Sequence, residues 1–300
     1  MITPTPIYLL AAPFSGASVL AGILGQHPAL YAVPELNLFL ADTVGELLEI
    51  FALGQGGHAH GLLRALAEID FGGQTDEGVA AAQRWLETQA AQPTAAVLQH
   101  LAHRVSPLRL VVPDAESPLR PMDLQRLRSA TPQIDTIHLL RHPWSQGVLL
   151  ADWARGRLFV PQDFKDHARR PPVLDPQIAW LRAEQNLDAL FAARAPLLRF
   201  RGEQLDDDFV AAAQSLCTAL GLKADASALV AMAHQAQWRF AGHGPRSAPY
   251  GLEPEALETF RPAALDLAAQ PTLTTPLPWR DDGLGFAPEV RRRAEAYGYC

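Results

Sequence analysis

Four short apolar runs stand out along the chain, at residues 7–12, 108–112, 136–140 and 196–200. Each is rich in Leu, Ile or Val, and a polar or Pro-marked turn closes most of them, as for buried strands. Long helical patterns separate them. This alternation predicts an α/β fold, a parallel sheet with helices on its faces. Ligands of such sheets bind beyond the carboxyl ends of the strands, so the segments 13–18, 114–118, 141–145 and 201–208 are where chemistry is expected. Residues from about 37 to 99 read as helical, broken by Gly-Gln-Gly-Gly-His-Ala-His-Gly, and are too long for a simple crossover. They are predicted to form a helical cap. A further helix is expected over 175–195, with Ile178, Leu181 and Leu187 on one side. Residues from about 241 to 280 are rich in Pro, Gly and Ala and are expected to form a loop-rich arm over the ligand site. No repeat or linker divides the chain, so residues 1–300 are read as one domain.

Composition narrows the function. Apolar residues make up 48% of the 300 and charged residues 19%, ample for a core. A formal net charge of -7 argues against nucleic acid and anionic membranes as partners. No run is long enough to span a bilayer, and the start lacks the basic stretch of a signal peptide. With Cys217 in an apolar helical stretch and Cys300 as the other cysteine, a reducing cytoplasm without disulfides is expected. Lys165 and Lys223 are the two lysines, which limits lysine chemistry to two candidates.

Three motifs carry candidate chemistry. The stretch Ala12-Pro13-Phe14-Ser15-Gly16-Ala17-Ser18 follows a strand and opens a helix. Free N–H groups and the positive end of a helix dipole at such a turn suit an anion, with Ser15 and Ser18 as added donors. The plainer alternative is a βα turn with Ser18 as helix N-cap; the Walker pattern is not matched. In the second motif, 137–150, a strand ends at Arg141 and a helix begins near Trp144. An arginine there suits phosphate through its planar fork, or pairs with a neighbouring carboxylate. In the third, 196–205, a strand leads to Glu203, which is expected to brace Arg141 or the first loop from behind. His58 and His60 are weak metal candidates, because nothing at metal-ligand spacing completes a site, and no metal is expected. Asp206, Asp207 and Asp208 read as a helix N-terminus.

In this order the motifs resemble the sulfotransferase family. The resemblance tightens over Ser15-Gly16-Ala17-Ser18 through Phe39 and takes in Asp114-Ala115-Glu116-Ser117-Pro118, residues 178–186 and the ending 291–300. It is nearest the bacterial branch that includes sulfotransferase domains of polyketide assembly lines. It implies a P-loop-like sulfotransferase fold and a role in polyketide- or nonribosomal-type biosynthesis. It also implies 3′-phosphoadenosine 5′-phosphosulfate (PAPS) as cofactor and a hydroxylated small-molecule or acyl substrate, the latter tethered to an acyl or peptidyl carrier protein. Carried over by position, cofactor contacts fall on Phe14, Ser15, Gly16, Ala17, Ser18, Arg141 and Ser145. Catalytic positions fall on Glu35, Asn37, Asp114 and Glu116.

The sequence departs from the family where the cofactor is gripped. Phe14 stands where the family has Lys or Arg, and Ala17 where it usually has a hydroxyl. Leu149 replaces the serine expected eight residues after Arg141, with Ser145 about 6 Å away along the helix axis. Glu116 replaces a lysine, and Asn37 a histidine that is a candidate base. A hydrogen bond to a charged group contributes about 1.5–3 kcal/mol. Two like charges about 4 Å apart repel by roughly 4 kcal/mol near a protein surface. These changes therefore oppose an anionic cofactor. Three functions fit the pattern: PAPS-dependent sulfonation with Glu35 as base; acid–base chemistry such as elimination, dehydration or cyclisation without PAPS, at Glu35, Asn37, Asp114 and Glu116; or non-catalytic binding of a carrier protein.

Overall fold

The computed structural model describes residues 3–53, 56–252 and 271–300. At its centre lies a five-stranded sheet whose paired strands all run parallel. In chain order the first elements are β1 (Ile7–Ala11), α1 (Ala17–Leu24), β2 (Leu30–Ala32), α2 (Val44–Leu53), α3 (His60–Asp70), α4 (Asp76–Thr88) and α5 (Thr94–Val105). Then come β3 (Arg109–Asp114), α6 (Pro121–Ala130), β4 (Asp135–Leu140) and α7 (Pro143–Ala154). A small antiparallel pair, β5 (Lys165–Asp166) and β6 (Val173–Leu174), leads into α8 (Pro176–Ala193) and β7 (Leu198–Arg201). The sheet order is β2-β3-β1-β4-β7, with Ile7 in register with Val111 on one side and Asp135 on the other. β1 is buried along its whole length, which is why it reads as an unbroken apolar run rather than an alternating one.

Four of the five strands match the apolar runs. The fifth, β2, is three residues long, Leu-Tyr-Ala, too short to stand out as a pattern. β3 also continues through Pro113 to Asp114, where the sequence suggested a Pro-marked end. Proline lacks an N–H but is tolerated near a strand's limit. That extension carries Asp114 to the rim where ligands bind. Helices α2, α3 and α4 fill most of the 37–99 segment, while α5 packs back against β3. The expected helix over 175–195 is α8, capped by the Asp175 carboxylate.

Of the expected arm, residues 253–270 lie outside the described residues. Its beginning is held by Arg64, which is 2% exposed and donates to the carbonyls of Phe240 (3.0 Å) and Tyr250 (2.8 Å). The later part turns Trp279 against Gly147, where an added Cβ would lie 2.3 Å from the indole. Among the described residues no helix is long and apolar enough to cross a membrane.

Candidate active site

The first loop begins as a tight turn, Ser15 N–H donating to the Ala12 carbonyl at 3.1 Å. Pro13 takes the second position of that turn, and Phe14 the third with φ at 64°. A left-handed backbone at that place ordinarily selects glycine, and a bulky side chain there costs about 1–2 kcal/mol. Part of this is offset by packing, because the Phe14 ring lies 5.6 Å from Trp153 of α7. Phe14 therefore lines the cavity while packing against the smaller hydrophobic cluster beneath α7 and α8. Gly16, with φ at 86°, starts α1 with no side-chain cap. Ser18 is thus not the N-cap; it sits inside the first turn. The first intrahelical bond found there runs from Leu20 N–H to the Gly16 carbonyl. The N–H groups of Ala17, Ser18 and Val19 point out of the helix end. Ser15 Oγ is buried with no hydrogen-bond partner.

These groups border a cavity of about 710 Å³. Phe14, Val19, Leu119, Leu149, Trp153 and Phe164 give it an apolar wall. Three acids come from the ends of adjacent strands, two of them lining the cavity and Asp114 buried behind the lining. Glu35 follows β2 and lines the cavity; Asp114 ends β3; Glu116 lies two residues on and lines the cavity too. Asp114 is 6% exposed and accepts from the backbone N–H groups of Ser117 (2.8 Å) and Glu116 (3.2 Å). Burial outweighs those bonds and raises its carboxyl to about 6. Glu35 is pushed further, to about 8, first by burial and then by the charges of Asp114 and Glu116. Glu116 carries its charge against Arg120, at 2.9 Å.

The cations of the cavity are engaged. Arg120 bonds Glu116 and Asp163 (2.7 Å), and Asp163 also takes Arg182 at 2.7 Å. Arg141, 4% exposed, donates to the Phe14 carbonyl at 3.0 Å. Burial lowers its guanidinium, opposed chiefly by the charge of Glu203. Glu203 itself accepts from the His142 N–H at 2.8 Å and from the Tyr299 hydroxyl at 3.2 Å. It braces the β4–α7 turn at His142, next to Arg141, where the sequence suggested Arg141 itself or the first loop.

Two of the residues singled out in the sequence stand apart from this group. Asn37 has a left-handed backbone, φ 53°, and its amide donates to the His58 carbonyl at 2.9 Å. It fixes a turn and is not among the residues lining the cavity. Ser145 is buried within α7, also away from the lining. His58 does line the cavity, and His60 packs on Tyr250 at 4.6 Å. Among the described residues no three His, Cys, Asp or Glu side chains are grouped to hold a metal. Sequence reasoning missed Trp153, Leu119, Arg120, Asp163 and Phe164. None carries a motif, and α7 and the loop after it supply three of the five by folding over the crevice.

The chain belongs to the sulfotransferase family: the family model described as "Sulfotransferase family" matches residues 6–226. Its fold is similar to a sulfotransferase domain from the curacin biosynthetic pathway, with a TM-score of 0.72 at 21% identity over 99% of this chain and 98% of that one. It is also similar to a sulfotransferase domain from the Synechococcus PCC 7002 olefin synthase, with a TM-score of 0.67 at 20% identity over 100% of this chain and 97% of that one. No curated protein sequence matches the chain.

The site residues do not suit the family's usual cofactor. PAPS is a polyanion. Among the described residues Glu116 and Asp163 line the cavity together with two arginines, Arg120 and Arg141, both of which donate to protein oxygens. Phe14 and Trp153 occupy the side where a cation is wanted. What persists of the family's pattern is the turn with Ser15, the open end of α1 and Arg141.

Proposed function

We propose that this protein is a biosynthetic enzyme of the sulfotransferase family that has exchanged sulfuryl transfer for acid–base chemistry. Its substrate is a hydroxylated, largely apolar acyl chain presented as a thioester on a carrier protein, and its reaction is loss of water. The observation that supports this best is that Glu35 and Glu116 both line a largely apolar cavity that is also bordered by the Ser15–Gly16 turn and the start of α1. Two carboxyl groups in one cavity, one raised by burial and the other paired with an arginine, are the equipment of acid–base catalysis.

In this reading the thioester carbonyl faces the N–H groups that open α1. These stabilise the negative charge that gathers on its oxygen, as an oxyanion hole does. Glu116, paired with Arg120, takes the proton from the carbon next to the carbonyl. The electrons of that C–H bond become the new carbon–carbon double bond, and the carbon–oxygen bond to the hydroxyl breaks. Glu35, still protonated at neutral pH, gives its proton to the departing oxygen, which leaves as water. Glu35 ends ionised and Glu116 protonated; exchange with solvent through the cavity restores both. Asn37 and Ser145 take no part.

The test is incubation of β-hydroxyacyl thioesters with the protein in the absence of PAPS. Mass spectrometry should find a product lighter by one water, and Glu35→Gln should abolish it. Activity should fall as the pH rises through about 8, where Glu35 loses its proton. Titration with adenosine 3′,5′-bisphosphate should show no binding up to millimolar concentration. Submillimolar binding, or transfer of labelled sulfate from PAPS to a hydroxyl, would overturn the proposal.

A further inference from the structure

Between two residues that line the cavity, Trp153 and Pro161, the chain makes an exposed excursion that the chemistry above does not use. Residues Arg155, Gly156, Arg157, Leu158 and Phe159 are all exposed, in succession. Leu158 is 108% exposed and Phe159 72%. Neither lines the cavity, and an isolated chain gains nothing by projecting two large apolar side chains side by side into water. Gly156, with φ at 77°, supplies the left-handed turn that lifts the loop away from α7. Arg157 is fixed at its base: its guanidinium stacks over Trp153 at 4.3 Å and its Nε donates to the Trp153 carbonyl at 2.9 Å. Arg155 pairs with Asp152 at 2.8 Å but keeps 81% of its side chain exposed. Two arginines thus lead into an apolar tip at the rim of the cavity, on a chain whose net charge is -7.

We infer that the loop 155–159 is the docking surface for an acidic, helical carrier protein that delivers the acyl chain into the cavity. This rests on the reading of the cavity as a site for tethered acyl chains. A tethered chain that enters apolar end first must leave its attachment at the rim, so the carrier has to sit where the rim can hold it. Charge complementarity selects the occupant. An acidic surface meets Arg155 and Arg157 favourably, and its apolar patch covers Leu158 and Phe159. A second copy of this chain, joined about a two-fold axis, would bring the same two arginines face to face. A continuous anionic bilayer would have to approach Asp152 and Asp163, which stand next to the loop, whereas a discrete partner can place its charges between them.

The experiment uses the full chain and, as probe, a bacterial fatty-acid acyl carrier protein bearing its phosphopantetheine arm. Binding is followed by calorimetry at low salt, for wild type and for the double variant Arg155→Glu, Leu158→Asp. Neither side chain lines the cavity, and Arg157 is left intact because it supports Trp153. The variant should bind the carrier at least tenfold more weakly, while its melting temperature and its turnover of a free N-acetylcysteamine thioester match wild type. Equal carrier affinity in variant and wild type would overturn the inference, as would absence of carrier binding by wild type. Two further outcomes would also overturn it: a wild-type dimer that Leu158→Asp converts to monomer, and binding to phosphatidylglycerol vesicles that the variant loses. The free-thioester assay reads the chemistry separately, so failure of docking and failure of the proposed reaction are distinguishable.

Discussion

Replacing Glu35 with glutamine should stabilise the protein, and by an amount that grows with pH. Burial and the charges of Asp114 and Glu116 raise the Glu35 carboxyl from near 4.5, its value in an unfolded chain, to about 8. Between those two values the folded chain keeps a proton that the unfolded chain releases. The unfolded state therefore binds fewer protons, and stability falls as the pH rises across this window. Each pH unit costs at most about 1.4 kcal/mol, so at pH 7 the full cost would be about 3.4 kcal/mol. Solvent reaching Glu35 through the cavity screens part of it, leaving an expected gain of about 2 kcal/mol for Glu35→Gln. Below pH 4.5 the carboxyl is neutral in both states and the advantage should vanish. Urea unfolding of both proteins at pH 4.5, 6, 7 and 8 measures this directly. If the two stability curves run parallel across that range, Glu35 is not held protonated, and its assignment as the proton donor fails with it.

Other expectations follow from single contacts. Gly61→Ala should disturb Glu35 from behind, because a Cβ on Gly61 would lie 2.0 Å from the Glu35 carbonyl oxygen; thioester turnover should drop at least tenfold, with about 1–3 kcal/mol lost in urea unfolding. Glu203→Ala removes the acceptor of the His142 N–H and the chief counter-charge of buried Arg141; a loss of about 3 kcal/mol is expected by the same measurement. Restoring the family's cofactor chemistry with Phe14→Lys, Glu116→Lys and Leu149→Ser together should create affinity for adenosine 3′,5′-bisphosphate in the micromolar to millimolar range, read by calorimetry; continued absence of binding would mean that these three positions do not explain the loss.

The family was legible without coordinates because its markers are local. A strand, a turn with Ser-Gly, and a helix form one contiguous stretch at the start of the chain, and Arg141 and Glu203 each follow a strand in the order the resemblance implied. A bracing role for Glu203 could be anticipated, since adjacent parallel strands bring their carboxyl ends together. The direction of the Phe14 ring could not. It depends on the left-handed φ of one residue and on Trp153, which stands 139 positions later in the chain. Asn37 shows the opposite outcome. Its alignment with a candidate base suggested chemistry, yet a positive φ and a bond to the His58 carbonyl give the amide a structural task. Ser145, one helical turn from Leu149, faces the interior of α7's packing rather than the cavity.

By itself, then, the sequence determined the α/β fold and the family. These are written in periodicity and in short contiguous motifs, where neighbours in sequence are neighbours in space. Only the tertiary structure decided what the site amounts to. The protonation of Glu35 depends on burial and on charges carried by a different strand; the engagement of Arg120 and Arg141 depends on acceptors far along the chain; and the apolar wall depends on α7 and the following loop closing over the turn. Field strength, desolvation and shape are sums over groups that meet only when the chain folds. A sequence shows which groups are present, but not how far apart they finish.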